Sequence, residues 1–305
     1  MEEAITYYRQ ALSLRTLGHP ARSMSLSNLA SAVFSRYKEL LVGGMEDLEE
    51  VITYNREALS LHRLGHLRRF MFLNSLAIAV HTRYKQLGGM EDLEEAITCN
   101  CEALSLYPPA SGHPMLPLVL NNLGGALFTR YERSGGMEVL KEAITYYRKD
   151  LSLRPRGHPG RSTSLNNLGN VVHTRYRQLG HREDLEEATT YLHEALSLLL
   201  PGHPGCSASF NSLASVILTR TRYDRSGRME DLEEVITHRR EALSLHPPNH
   251  PDFFKSDLAS ALLTRYVQSG MGRRVEDLEE SFKLYEQAAN HLAASSKSRL
   301  TAAIE

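Results

Sequence analysis

The chain of 305 residues has no tryptophan, only 7% aromatic residues and three cysteines, and its formal net charge is −1. Each shortage excludes something. Without a basic surplus there is no electrostatic footprint for nucleic acid or an anionic membrane, and with so few aromatics there are no platforms on which bases stack. Cys99, Cys101 and Cys206 give no disulfide framework and no metal spacing. No apolar run approaches the ~18 residues that a membrane helix requires. Met1 leads directly into charged, helical sequence and not into a signal core. A cytoplasmic chain in a reducing setting is expected, with no cofactor, no metal and neither nucleic acid nor membrane as partner. No nucleophile, base and orienting group gather on one face, so no catalytic residue is assigned and no enzyme is expected.

What is present is repetition. The stretch from Gly157 to Leu199 holds two apolar-periodic segments. In the first, Leu165, Leu168, Gly169, Val172 and Tyr176 form one stripe of an amphipathic helix. Pro159 suits a helix start and Gly180 a helix end. In the second, Leu185, Ala188, Leu192 and Ala195 form another stripe, behind an acidic first turn (Glu183, Asp184, Glu186, Glu187) that matches the positive end of the helix dipole. This unit recurs with a period of about 46 residues. Ala4, Val51, Ala96, Ala143, Ala188, Val235 and Ser281 mark one position in the second helix. Leu29, Leu76, Leu123, Leu168, Leu213 and Leu258 mark one in the first. A single helix pair cannot bury its apolar face alone, whereas stacked neighbours can.

The spacing therefore predicts an all-α, right-handed superhelical solenoid of antiparallel helix pairs, one domain over 1–305. An unpaired second helix at 1–18 precedes full repeats at 19–64, 65–111, 112–156, 157–201, 202–248 and 249–293, and a partial helix occupies 294–305. His-Pro turns open the repeats at His19, His113, His158, His203 and His250, with His66-Leu67 as the departure. These histidines read as turn residues, since successive ones lie too far apart to share a metal. Arg-Tyr closes each first helix, from Arg36-Tyr37 to Arg222-Tyr223 and Arg265-Tyr266. A structural role is favoured over a nucleic-acid ladder, with the arginines pairing with acids such as Glu49 or Glu186. Thr219–Arg222 adds two residues inside a helix, which predicts a bulge or early break near Thr221.

The second helices carry a small, large and small residue and then proline at fixed offsets, as in Val235, Arg239, Ala242 and Pro247 or Ala96, Asn100, Ala103 and Pro108. With Leu123-Gly124 and Leu258-Ala259 in the first helices, the pattern resembles the tetratricopeptide repeat over nearly the whole chain. The extra length resembles the long repeats of kinesin light chains. The string GHP…SLNNL…TRY…GGMEDLEEAI…EALSL is similar to the repeat tracts of mushroom-forming fungi that often precede a caspase-like CHAT domain. The resemblance implies a protein or peptide partner held on an inner, concave first-helix surface. Its alternative is a truncated sensor or regulatory arm of such a protease, whose catalytic motifs have no matching positions here. The candidate partner-binding residues are Asn28, Asn74, Asn121, Asn122, Asn166, Asn167, Asn170, Asn211 and His173. An amide both donates and accepts, so each asparagine suits one peptide unit of a ligand. It equally suits bonds that pin one repeat on the next, and both readings stand. The apolar stripe of Met1–Leu14, including Ile5 and Leu12, is expected to give weak self-association through the N-terminal helix edge.

Overall fold

The computed structural model describes residues 2–39, 44–107, 112–200, 202–203, 205–223, 229–245, 253–270 and 274–302. Among them there are thirteen helices and no strand: α1 (Glu2–Ser13), α2 (Arg22–Glu39), α3 (Met45–Ser60), α4 (Arg69–Leu87), α5 (Met90–Leu106), α6 (Leu116–Ser134), α7 (Met137–Ser152), α8 (Arg161–Leu179), α9 (Arg182–Ser197), α10 (Gly205–Tyr223), α11 (Met229–Ser244), α12 (Phe253–Gln268) and α13 (Val275–Ala302). The chain divides into two compact units, Met1–Arg154 and Pro155–Glu305. The first contains α1 and the pairs α2–α3, α4–α5 and α6–α7; the second contains α8–α9, α10–α11 and α12–α13. Within each unit every first helix packs on its own second helix, and each that follows a second helix of the same unit packs on that one too.

The two marker series explain the packing. Every first-helix marker leucine from Leu29 to Leu258, and every second-helix marker from Val51 to Ser281, is buried. Each unit is thus an α-solenoid in which the repeated stripe is the core. Successive first helices touch directly, α2 with α4, α4 with α6 and α8 with α10. Successive second helices are instead bridged by ion pairs between long side chains, Arg9–Glu50 at 2.9 Å, Arg56–Glu95 at 2.7 Å and Arg240–Glu280 at 2.6 Å. The first helices therefore form the narrower, inner side of each unit.

The turn histidines are local caps. His158 Nδ1 accepts the Gly160 N–H at 3.0 Å while its carbonyl accepts the Arg161 N–H at 3.0 Å. His19, His66, His113 and His203 repeat both bonds. Nδ1 is the acceptor, so the neutral ring carries its proton on Nε2. His66 does this with Leu67 in the proline position, so histidine and not proline is the constant part of the turn. Gly88 and Gly180 close α4 and α8 in the left-handed region, with φ of 76° and 71°, each donating to a tyrosine carbonyl at 2.7 Å.

Two expectations are corrected. α10 runs unbroken to Tyr223, and Thr221 Oγ1 donates to the Ile217 carbonyl four residues back at 2.9 Å, so there is no bulge near Thr221. The reason is register. Counted from Leu213, Arg220 stands where Arg175 stands from Leu168, and Arg220 reaches Asp231 at 3.3 Å as Arg175 reaches Asp184 at 2.6 Å. Thr221 occupies the Tyr176 position and is buried. Arg222 and Tyr223 thus prolong the helix past the repeat instead of interrupting it; their side chains, and so the packing expected of Tyr223, lie outside the described residues. Likewise α13 continues through Ala302, and no separate helix begins at 294. No glycine or proline follows Gly272 to stop it.

Candidate functional site

The Arg-Tyr edge is where the fold is clamped. Arg83, at the end of α4, takes Asp92 of its own second helix at 2.5 Å and Glu49 of the preceding one at 2.8 Å. Arg36 holds Asp47 and Glu2 in the same way, at 2.6 and 3.0 Å, and Arg265 holds Asp277 at 2.6 Å together with Glu233. The hydrogen bond to Asp92, against the cost of burial, raises the Arg83 guanidinium above its ordinary range, with help from Glu49. Bidentate pairs in this geometry join three helices at once. Glu49 is therefore one of the acids the arginines engage. The α6–α7 pair departs from the pattern. Val139 replaces the aspartate and Lys141 the glutamate, Arg130 keeps only Glu94 at 3.4 Å, and its buried Nε has no partner among the described residues. Lys141 pairs with Glu138 on its own helix at 2.7 Å.

The inner face is less uniform. Asn28 is exposed on α2. Asn74 is buried, and its Oδ1 accepts from Asn122 Nδ2 of the next first helix at 3.1 Å. Those two candidates are brought together with each other, as repeat stacking requires. Asn121 and Asn167 are half-buried and have partners of their own. Asn170 is half-buried, and its carbonyl accepts from Thr174 at 3.1 Å. Asn166 and Asn211 stand two residues before Leu168 and Leu213. The amide oxygen of each is shielded from solvent and has no partner among the described residues. His173 bonds Thr219 of the next first helix at 3.0 Å. Burial, with a smaller contribution from Arg177, lowers its pKa to about 4 and keeps it neutral. His81 is not among the residues singled out from the sequence, yet it bonds Thr129 at 3.3 Å, and burial lowers it to about 4 as well. The signal for it is its spacing: it stands five residues after Leu76, as His173 does after Leu168.

Behind the first helices lies a floor supplied by the second helices, at the large position of the small-large-small pattern. The residues there are Asn55, Asn100, Tyr147, Leu192 and Arg239. Where the floor residue is large and apolar or aromatic, the first helix opposite has glycine. A Cβ on Gly124 would lie 3.1 Å from the Tyr147 ring, and one on Gly169 would lie 2.8 Å from Leu192 Cγ. Opposite Asn55 and Asn100 stand Ala30 and Ala77. Arg239 is buried and donates to the Asp257 carbonyl. One small position departs too. Asp150 is fully buried and is clamped by Arg154 at 2.6 Å.

Other chemistry is sparse. Among the described residues no three His, Cys, Asp or Glu side chains cluster as a metal would require, and no helix is long and apolar enough to cross a membrane. Burial pushes the Cys99 thiol up to about 12, far from a reactive thiolate.

No protein-family model and no curated protein matches the chain. Solved structures do. A putative kinesin light chain from Podosopora anserina, built of nearly identical TPR-like repeats, matches with a TM-score of 0.50 at 20% identity over 73% of this chain and 97% of that one. A thermophilic TPR protein of Thermus thermophilus matches at 0.50 and 18%, over 77% and 99%. PilW, a type IV pilus biogenesis factor, matches at 0.51 and 14%, over 85% and 91%. The fold is that of tetratricopeptide-repeat proteins. At such identities the tetratricopeptide likeness covers architecture, and the function has to be argued from the inner face itself.

Proposed function

We propose that the chain is a non-enzymatic scaffold that holds an extended peptide or a segment of a partner protein along the first-helix face. The observation behind this reading is the pair Asn166 and Asn211, in one register on α8 and α10, whose amide oxygens are out of solvent and without a partner among the described residues. An extended segment presents N–H donors at regular spacing, which such acceptors take up. The edge supports the division of labour, because its charged groups are engaged by the clamps, while Ser31, Gly125, Ser215 and Ser260 keep the inner face small and neutral. The partner is accordingly a segment without a strong charge of either sign. The reading of the chain as the regulatory arm of a caspase-like protease rests on the repeat resemblance alone; sequencing the transcript past Glu305 tests it.

The test is selection of a displayed random-peptide library on the full chain. Enriched peptides are expected, and a selected peptide should bind the N166A/N211A double variant about tenfold more weakly. The melting temperature should move by no more than about 2 °C. If no peptide is enriched, or the double variant binds as tightly as the parent, the proposal is wrong.

A further inference from the structure

At the turn end of the pairs, one position on the first helix is coupled to one on the second. Arg22, Arg69 and Arg161 each stand seven residues before the marker leucine, and Glu57, Glu102 and Glu194 each stand six after the second-helix marker. They pair at 2.6, 2.6 and 2.8 Å. The guanidinium also caps the second helix before it. Arg69 Nη1 donates to the Leu59 and His62 carbonyls at 3.0 and 3.1 Å, and Arg22 Nη1 to the Arg15 carbonyl at 2.5 Å. Two other pairs lose the arginine and the glutamate together: α6–α7 has Leu116 and Lys149 at these places, and α12–α13 has Pro251 and Gln287. The pair α10–α11 differs from both groups. Cys206 stands in the arginine position, yet Glu241 is kept.

A cavity of about 360 Å³ opens at that place, between the end of α9, the start of α10 and the end of α11. Leu196, Leu199, Phe210 and Leu245 form its apolar wall, and Glu241 and Ser244 line it as well. Glu241 is half-exposed. Among the described residues its carboxylate meets only His238 Nδ1 of its own helix, at 3.4 Å. The carbonyls of Leu196 and Leu199 hold the register positions from which those of Leu59 and His62 receive Arg69.

These groups narrow the occupant. A carboxylate would be repelled by Glu241. A purely apolar side chain would leave the acid and the carbonyls without a donor, and α6–α7, which fills the same place with Leu116, has no acid there. A guanidinium on an aliphatic stem meets both halves of the cavity. The stem packs on the leucines while the planar head spreads its five donors over a carboxylate and carbonyls, which the three donors of a compact ammonium match less well. The segment 246–252 that follows α11 contains neither arginine nor lysine to supply such a group.

We infer that this cavity binds the side chain of an arginine on a partner protein, which restores from outside the residue that Cys206 replaces. With Glu241 engaged, the lining has only the Ser244 side chain left for an α-ammonium and an α-carboxylate, so the arginine is carried on a chain and is not the free amino acid. The site is independent of the inner-face reading, since it needs neither Asn166 nor Asn211.

The experiment titrates the full chain, with its leucine methyls labelled for NMR, with N-acetyl-arginine amide, with the lysine and citrulline counterparts, and with free arginine. The arginine amide should bind in the millimolar range and shift the Leu199 and Leu245 methyls. The lysine amide, and the citrulline amide with its similar shape and no charge, should bind at least about tenfold more weakly. E241Q, changed at a half-exposed side chain, should weaken the arginine amide about tenfold. C206R returns the arginine within the chain and should abolish its binding; a melting curve shows whether that variant folds, and E241Q decides if it does not. Absence of shifts at Leu199 and Leu245, a lysine or citrulline amide that binds as tightly, or unchanged affinity in E241Q or in folded C206R overturns the site. Free arginine that binds more tightly than the blocked form overturns the assignment to a partner protein.

Discussion

The pairs α4–α5 and α6–α7 are neighbouring copies of one pattern, held together by different means. In α4–α5 the edge is clamped by Arg83 on Asp92 and Glu49, and the floor is an asparagine with half of its amide unanswered. In α6–α7 the clamp has lost the aspartate of its own second helix, to Val139, and Arg130 keeps only Glu94 of α5 at 3.4 Å, while the floor is Tyr147 set against Gly124 and Gly125. One pair relies on its edge and leaves a buried acceptor without a partner among the described residues. The other fills its inside and has a weak edge. The repeat thus tolerates a change at either place when the other carries the load, and only the pairs with a strong clamp, α2–α3 and α4–α5 in this unit, combine it with a polar floor.

The largest effect should come from the filled floor. Tyr147 is buried against a glycine, so Y147A leaves a ring-sized void and should cost about 3–5 kcal/mol in urea unfolding. N100A removes one intrahelical bond together with an unsatisfied oxygen and should cost about 1 kcal/mol or less. Equal costs would dissolve the contrast between the floors. The edge is tested next. R83A strands a largely buried aspartate and should cost about 3 kcal/mol, whereas R130A removes only a long, half-exposed pair and should cost less than about 1 kcal/mol.

Acid separates the pairs in a third way, because Phe128 stands in α6 where His81 stands in α4. Burial, and secondarily Lys85, hold His81 near a pKa of about 4, against an ordinary 6.5. Above 6.5 the ring is neutral whether folded or not and contributes nothing. As pH falls from 6.5 to about 4 the unfolded chain gains a proton that the folded chain refuses, so stability is lost across that window and the loss levels off below it. With allowance for partial exposure the loss is about 2 kcal/mol. His173 behaves alike in the second unit. Denaturant midpoints measured between about pH 7 and pH 4 should therefore flatten in H81F/H173F, and an unchanged slope would remove these histidines from the acid response. The smallest effect is a gain. V139D returns a carboxylate to Arg130 and should stabilise by about 1 kcal/mol; no gain would mean that the weak edge of α6–α7 has another cause.

Much of this is legible in the sequence, and the limits have physical reasons. The buried leucines and second-helix markers follow from a period that repeats, because stacking demands the same apolar stripe each time. The clamp is half visible. Arg-Tyr recurs and Glu49 is an expected partner, but Asp47 and Asp92 sit in acidic helix starts that read as solvated, and only the fold turns them under the preceding helix. Matching Arg222-Tyr223 to the other Arg-Tyr pairs puts the two extra residues at Thr219–Arg222 inside the helix. Register from Leu213 selects Arg220 instead, since a helix keeps its count from the core residue and not from its end. Asn100 stands out in sequence at the large position of the pattern. Whether an amide there finds a partner depends on Ala77 across the interface, which no local spacing reveals. The same applies to Asn74 and Asn122, whose bond spans two first helices.

The most direct measurement sets melting temperature beside peptide affinity for two variants, R83A at the edge and N166A/N211A on the inner face, using one peptide selected on the parent chain. R83A should lower the melting temperature by several degrees, roughly in proportion to its lost clamp, and leave the dissociation constant within about twofold. N166A/N211A should keep the melting temperature within about 2 °C and weaken binding about tenfold. If N166A/N211A acts only on stability, or R83A weakens binding as much as N166A/N211A does, an edge that holds and an inner face that binds are not separate parts of this molecule.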